Sequence, residues 1–276
     1  MIIIYTFEFK KNAPFLSMNE EYMMLVVSIQ SAIESHGKML SILIYSGDII
    51  FIKRISAEFG NKIQIIFVNK QKYCDNEKFT CAGHTRVPVL NDIVGHVDDD
   101  ILYVDNDTLF KPGGIDILQQ HYKKPGGYRL ETWNTLENWI NMIVTDETQN
   151  KQMKSYCARH LTKHICNNGV QYYPKSNYQS VWLAQMTYKH YMNMLKIGYS
   201  HGLDMLAFSF ALYDVIQPPL LQFQNLGQID VVWHSYAVKP FYIKNLKQID
   251  AFSEHTLNHK KNNIYEKLDQ LYKSSV

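Results

Sequence analysis

Residues 101–110 read Ile101-Leu102-Tyr103-Val104-Asp105-Asn106-Asp107-Thr108-Leu109-Phe110. Four apolar residues without polar alternation run into an Asp-Asn-Asp corner, and Lys111-Pro112-Gly113-Gly114 follows. The apolar run is too short for an ordinary helix and reads as a strand covered on both faces, as in the parallel part of an α/β sheet. Asp105 and Asp107 then lie at its carboxyl end and point to the same side. Two carboxylates on one face repel each other unless a cation sits between them. Mg²⁺ and Mn²⁺ take oxygen ligands of this kind and complete their shells with substrate phosphates. Open α/β sheets also place their ligands at the carboxyl ends of the strands. Two readings stand: a metal site that holds a diphosphate, or a strand that ends in a turn, where Asp and Asn are common. Asp98 and Asp100 make a second Asp-x-Asp ahead of the apolar run, which reads as the solvated turn entering the strand.

Working outward toward the start, Ile2 to Phe7 reads as a first strand with Tyr5 and Thr6 at its carboxyl end. Glu21 to His36 carries Tyr22, Leu25, Val26, Ile29 and Ile33 at helical spacing, with Gly37 as a C-cap. Leu40 to Tyr45 is a second strand, Ile49 to Phe59 a second helix stopped by Gly60, and Lys62 to Val68 a third strand. Strands alternating with helices predict a parallel sheet with right-handed crossovers. No Gly-x-Gly-x-x-Gly follows the first strand and no P-loop motif occurs, so the phosphates of any nucleotide fall to metal and basic side chains. Lys70 to Thr85 is polar and reads as a loop. Arg86 precedes Val87-Pro88-Val89-Leu90 and an apolar helix ending near Gly95. It is either close to the metal-bearing strand and able to reach a sugar or phosphate oxygen, or a surface arginine paired with Asp98 to Asp100.

Toward the other end, Lys-Pro-Gly-Gly occurs at 111–114 and 124–127 and brackets a helix from Ile115 to Tyr122; this is turn chemistry. Gly127 to Glu131 reads as a strand, and Thr132 to Lys163 as largely helical with exposed aromatic candidates Trp133 and Trp139. Ile165 to Tyr173 is a strand interrupted by Asn167-Asn168-Gly169. Glycine there marks either close approach by a ligand or a hairpin turn at Asn-Gly. After a helix from Tyr178 to Met194, Asp204 heads a helix from Met205 to Tyr213, as an N-cap or as a carboxylate presented to a sugar. Val231 to His234 reads as a strand running into a loop that carries Lys239-Pro240, and Asn262 to Leu271 as a polar amphipathic helix. His234 is either a hydrogen-bonded core histidine or, with the Lys239 ammonium five residues on, part of a site for metal and phosphate.

A chain of 276 residues accommodates one large α/β domain, with or without an extension. Its 46% hydrophobic and 20% charged residues are those of a globular protein, and a net charge of +2 lacks the basic excess that nucleic-acid binding wants. No apolar run approaches the roughly 20 residues that span a bilayer. The opening Met1-Ile2-Ile3-Ile4-Tyr5 has no basic n-region or small-residue cleavage site, so a soluble, cytoplasmic protein is expected. The four cysteines do not make a disulfide framework. Cys157, His160, His164 and Cys166 are zinc-type ligands packed tightly, but a helix carrying the histidines and a strand opened by Cys166 argue against convergence on one ion. Asn106-Asp107-Thr108 matches a glycosylation sequon, which a cytoplasmic protein does not present to the modifying machinery.

Taken together these residues resemble the GT-A nucleotide-sugar glycosyltransferases, most nearly the retaining family 8 type that includes glycogenin and bacterial lipopolysaccharide galactosyltransferases. Arg86 before the helix, the Leu102-Tyr103-Val104-Asp105-Asn106-Asp107 block, Asn167-Asn168-Gly169-Val170 and the His234 to Pro240 block occur in the family's order. The resemblance covers most of residues 1–245. It implies a single GT-A domain over 1–245, with a nucleotide-binding half at 1–110, an acceptor half at 111–245, and a helical extension at 246–276. Its sheet is expected to be mixed, mostly parallel and flanked by helices. It implies Mn²⁺ or Mg²⁺ on Asp105, Asp107 and His234, with Asn106 near the ribose, Lys239 on phosphate, and Asn167 and Gly169 lining the sugar pocket. Arg86 is expected to contact donor oxygens, and Asp204 falls where the family has a catalytic carboxylate beside the sugar. The expected activity is metal-dependent transfer of a hexose from a UDP-sugar to a glycan, glycoprotein or other hydroxyl acceptor, with retention. Three departures stand out. His234 and Lys239 are one residue closer than usual and lack the intervening Gly; Leu203 stands where a Gln precedes the carboxylate; and the first strand has Tyr5 and Thr6 where an acidic residue commonly reads the base. The acceptor pocket is expected beyond Asn167, with Tyr172, Tyr173, Tyr178 and Trp182 as stacking candidates. The alternatives are a sugar nucleotidyltransferase, although Phe7-Glu8-Phe9-Lys10 is not the Gly-rich loop such enzymes carry, and a non-catalytic sugar-binding module.

Overall fold

β-Branched side chains are stiff at χ1 and pack well on a pleated surface, and the run of them that opens the chain forms strand β1 (Ile2–Thr6). The computed structural model describes residues 1–7, 18–35, 41–47, 49–67, 82–110, 113–198, 201–216, 224–225 and 232–234. After β1 come helix α1 (Met18–Ser35), strand β2 (Ser41–Ser46), helix α2 (Ile49–Phe59) and strand β3 (Gln64–Phe67). β1 pairs with β2 in parallel, Ile4 opposite Leu43, and β2 pairs with β3 in parallel, Ile44 opposite Ile65. Parallel neighbours need a crossover of a dozen or more residues, which α1 and α2 supply. The helix α2 ends at Gly60, whose φ of +56° lies in the left-handed region that side chains disfavour.

Next in order are helix α3 (Ala82–Ile93), strand β4 (Ile101–Val104), strand β5 (Thr108–Phe110) and helix α4 (Gly114–His121). Strand β6 (Gly126–Thr135) is followed by helices α5 (Leu136–Ile143) and α6 (Glu147–Tyr156), strand β7 (His164–Tyr173), and helices α7 (Tyr178–Ile197) and α8 (Leu203–Val215). Strands β8 (Gln224–Asn225) and β9 (Val232–His234) close the described chain. The predicted terminal helix at 262–271 lies outside the described residues.

Two compact units result. The first takes Met1–Asn69, Tyr103–His121 and Ile229–Val276; the second takes Lys70–Leu102 and Tyr122–Gln228. The division falls within β4. In the first unit the hydrogen-bonded strand order is β3-β2-β1-β4, with β5 and β9 as a separate antiparallel pair. In the second it is β4-β7-β6-β8, where β6 runs antiparallel to β7 and parallel to β8. All four residues of β4 are buried, as expected of a strand covered on both faces. The core of the first unit is built from Ile3, Ile4, Tyr22, Leu25, Ile29, Ile42, Ile44 and Phe51. That of the second gathers Leu136, Ile140, Met153, Ile165, Met194, Leu206 and Phe210.

The described elements correct three sequence expectations. α3 begins at Ala82, so Arg86 is inside the helix rather than ahead of it. Pro88 sits inside the helix and forgoes one i→i−4 bond. β6 continues through 132–135, where a helix was expected, because Thr135 is the N-cap of α5 and its hydroxyl accepts from the Asn138 amide at 3.2 Å. β7 runs through Asn167-Asn168-Gly169 without a hairpin. Its long antiparallel partner takes up the backbone, with Asn167 opposite Arg129 and Cys166 opposite Leu130.

Candidate functional site

In the first unit, β4 ends at Val104 and the chain turns through Asp105, Asn106 and Asp107 into β5. Asp107 is wholly buried, while Asp105 and Asn106 are half-buried. Two hydroxyl relays reach Asp105 from neighbouring residues of β1. Tyr103 donates to Asp105 Oδ1 at 2.8 Å and lies 3.1 Å from Thr6 Oγ1. A phenol has one proton, so with that proton on the carboxylate the direction is Thr6 to Tyr103 to Asp105. Separately, Thr108 donates its hydroxyl proton to the Asp105 carbonyl at 2.8 Å. It therefore accepts from Ser28, 2.8 Å away, which in turn accepts from Tyr5 at 2.9 Å. Both ends of Asp105 are thus tied to β1.

That arrangement changes the reading of Tyr5 and Thr6, which were expected to meet a nucleotide base. Tyr5 is enclosed and its phenol faces Ser28 of α1; burial raises its pKa well above the ordinary value, and the Ser28 bond only partly opposes this. Thr6 is also buried and faces Tyr103. His234 ends β9, and its Cα pairs with that of Thr108, the residue after Asp107. The backbone therefore brings the third expected ligand beside the first two. Lys239 lies outside the described residues.

The second unit assembles Arg86, Asp204, Asn167 and Gly169. Arg86 was expected either at a ligand or at the surface beside Asp98 to Asp100. It is buried, and its Nε donates to Asp204 Oδ2 at 2.8 Å, with Nη2 on the same oxygen. Its Nη1 donates to the Asn168 carbonyl at 3.3 Å, which also accepts from Gln171 at 2.9 Å. The upstream acidic residues instead meet Lys175 and Tyr172: Asp98 pairs with the Lys175 ammonium, and Asp100 accepts from the Tyr172 phenol at 3.1 Å. Asp204 is not the N-cap of α8. Gly202 holds that position at φ +85°, and Asp204 is in the first turn, buried.

Asn167 points its amide along the strand. Its Oδ1 accepts from the Gly169 amide at 3.1 Å and its Nδ2 faces Glu131 Oε1 at 3.5 Å. Glu131, also buried, accepts from the Trp133 indole at 2.8 Å and is flanked by Arg129 at 3.3 Å. Trp133 is thereby held by its N–H while 67% of it remains exposed. Of the four acceptor candidates, Tyr172 and Tyr173 are buried, whereas Tyr178 (75%) and Trp182 (47%) are exposed.

Ser28, Tyr103, Thr108 and Glu131 were passed over in the sequence. Tyr103 carried a signal: it shares a strand face with Asp105, two residues on. The zinc-type cysteines and histidines do not converge. His160 bonds to Asp214 at 2.8 Å, and Cys157 and Cys166 are buried thiols. Burial pushes the Cys157 thiol up to about 12, which keeps it protonated and unreactive. The His234 side chain lies outside the described part of the chain; among the described residues no group of three His, Cys, Asp or Glu side chains is set to hold a metal, and no helix is long and apolar enough to cross a membrane.

No protein-family model and no curated protein sequence matches the chain. Solved structures do. The bifunctional glycosyltransferase WbbM superposes with a TM-score of 0.52 over 77% of this chain and 37% of its own, at 11% identity. An active-site mutant of LgtC superposes with a TM-score of 0.50 over 90% of this chain and 96% of its own, also at 11% identity. The mixed, mostly parallel sheet with its βαβ start and buried strand before Asp105 therefore has the GT-A fold that these glycosyltransferases share.

Proposed function

We propose that the chain is a metal-dependent glycosyltransferase that moves a hexose from a nucleotide sugar, a UDP-sugar, to a glycan, glycoprotein or other hydroxyl acceptor with retention of configuration. One observation carries this reading: the Asp105-Asn106-Asp107 corner closes the central strand, and the strand ending in His234 pairs directly after it. Two carboxylates and an imidazole suit Mn²⁺ or Mg²⁺, and the fit is supported by a corner whose first acid is braced at both backbone and side chain. Such an ion, when bound, neutralises charge on the departing nucleoside diphosphate.

The chain's own residues divide the remaining work. Asp105, Asp107 and His234 hold the cation, Asn106 approaches the ribose, and Lys239 meets phosphate. Asn167 and Gly169 line the sugar pocket. Arg86 matches the charge of Asp204, so this carboxylate serves better as a hydrogen-bond acceptor for a sugar hydroxyl than as a nucleophile. That supports a front-face route, in which the acceptor hydroxyl attacks the side the diphosphate leaves and no glycosyl-enzyme bond forms.

The test is incubation with a panel of nucleotide sugars and Mn²⁺, measuring released nucleoside diphosphate. Metal-dependent release that Asp107→Ala abolishes, with the fold intact by circular dichroism, is expected. Pyrophosphate-dependent formation of a nucleotide sugar would assign the chain to the nucleotidyltransferases instead. Silence toward every donor, in turnover and in thermal shift alike, would leave a sugar-binding module.

A further inference from the structure

We propose that Tyr103 is a positioning residue for the cation site: its phenol, backed by Thr6, holds Asp105 as a one-oxygen ligand and tunes the site to Mg²⁺ and Mn²⁺ against Ca²⁺. This rests on the metal reading above. A carboxylate chelates a cation through both oxygens, or binds it through one. Asp105 Oδ1 accepts the Tyr103 proton at 2.8 Å, a charge-assisted bond that draws negative charge from that oxygen and makes Oδ2 the better donor. The phenol has little freedom to leave: Tyr103 is buried within β4, and Thr6 Oγ1 stands 3.1 Å behind its oxygen. The backbone of Asp105 is pinned independently through its carbonyl by Thr108, which lies 2.8 Å from Ser28. With backbone and Oδ1 both tied, chelation through two oxygens would make Oδ1 share its charge between the phenol proton and the cation, which favours binding through Oδ2 alone. Ca²⁺ fills a shell of about 6–8 oxygens and often takes both from one carboxylate, whereas Mg²⁺ is content with single oxygens in an octahedron. The brace therefore acts as a size and coordination filter.

Binding is read without turnover, as loss of the electron paramagnetic resonance signal of free aqueous Mn²⁺ on adding protein, followed by displacement with Mg²⁺ or Ca²⁺. In the wild type, and in Thr6→Ser, Ca²⁺ should displace Mn²⁺ less well than Mg²⁺ does. In Tyr103→Phe the Mn²⁺ affinity should fall about tenfold, the usual cost of losing a residue that orients a ligand, and Ca²⁺ should gain on Mg²⁺ as competitor. Thr6→Val keeps the phenol but removes its support, and should move both readouts in the same direction by less; it also serves if Tyr103→Phe does not fold. Wild-type Mn²⁺ affinity and an unchanged Ca²⁺ to Mg²⁺ ratio in either folded variant would overturn the proposal, as would an equal loss for all cations. Those results leave Asp107-dependent Mn²⁺ binding in place. A wild-type protein that binds no more Mn²⁺ than Asp107→Ala would instead overturn the metal reading itself.

Discussion

Arg86 and Asp204 bring opposite charges from positions 118 apart in the chain into a buried pair. Desolvating two ions is expensive, and the pair persists because Arg86 also donates to the Asn168 carbonyl while the Asn168 side-chain amide faces Asp204 Oδ2 at 3.4 Å. Removing one partner leaves an uncompensated charge in the interior. Arg86→Met should therefore destabilise the protein by about 3–5 kcal/mol in urea denaturation. The double change Arg86→Met with Asp204→Leu should recover a substantial part of that loss, since neither charge then remains. If Arg86→Met alone is neutral, the pair does not hold the second unit together. Asp204 was recognisable as a carboxylate at a helix start, but its partner was not: nothing local links it to an arginine in another helix. The same holds for Tyr5, whose acceptor lies 23 positions on, and for Thr6, whose partner lies 97 positions on.

Element boundaries show where local signals win and where they lose. Ile49–Phe59 was readable to the residue because apolar spacing begins it and Gly60 ends it. The start of α3 and the end of β6 were not. The first opens on small and polar residues, Ala82 to Arg86, ahead of the apolar run, and the second depends on a threonine that can finish a strand or cap a helix equally well. The N-cap of α8 is a related case. Asp204 is a good capping type, yet Gly202 takes the place at φ +85°, and its carbonyl accepts from the Trp139 indole at 3.1 Å. A Cβ there would meet Trp139 Cζ2 at 2.9 Å. Gly202→Ala should accordingly cost about 1–2 kcal/mol from the left-handed backbone alone, with the indole overlap adding to it. Chemical denaturation measures the cost, and a blue or red shift in Trp139 fluorescence, isolated by Trp→Phe changes at the other tryptophans, reports the displaced ring.

Across the second unit, one acid ties three helical segments into a common response to pH. Asp214 of α8 accepts from His190 of α7 at 2.9 Å and from His160 at 2.8 Å, and pairs with Arg159. The Tyr156 phenol, at the end of α6, lies 2.7 Å from His190 Nδ1, and Asn193 donates to that phenol at 3.3 Å. Neutral His190 fits this pattern, with its proton on Nε2 toward Asp214 and Nδ1 accepting from Tyr156. Burial lowers the His190 pKa below its ordinary 6.5, outweighing the opposing pull of Asp214, with Arg159 and Lys189 adding to the depression. In this window the unfolded chain binds the proton and the folded one does not. The contribution is thus complete above about 6.5 and is lost as pH falls toward the depressed folded value. Urea midpoints at pH 7.5 and 5.5 should fall further in the wild type than in His190→Gln; equal falls would show that other groups carry the acid response. The fold was legible because periodicity and turn residues are local, and the Asp105 to Asp107 corner because both acids lie in one short segment. The support behind its braces was not, since Thr6 lies 97 positions from Tyr103 and Ser28 lies 80 positions from Thr108. The braces also fix the register in which the opening strand must lie. Tyr5 and Thr6 face opposite sides of β1, so a change that slips this strand by one residue against its neighbours would exchange their sides. The acids would stay in the sequence while losing their braces, so the opening strand acts as a hidden ruler for a corner about a hundred positions later.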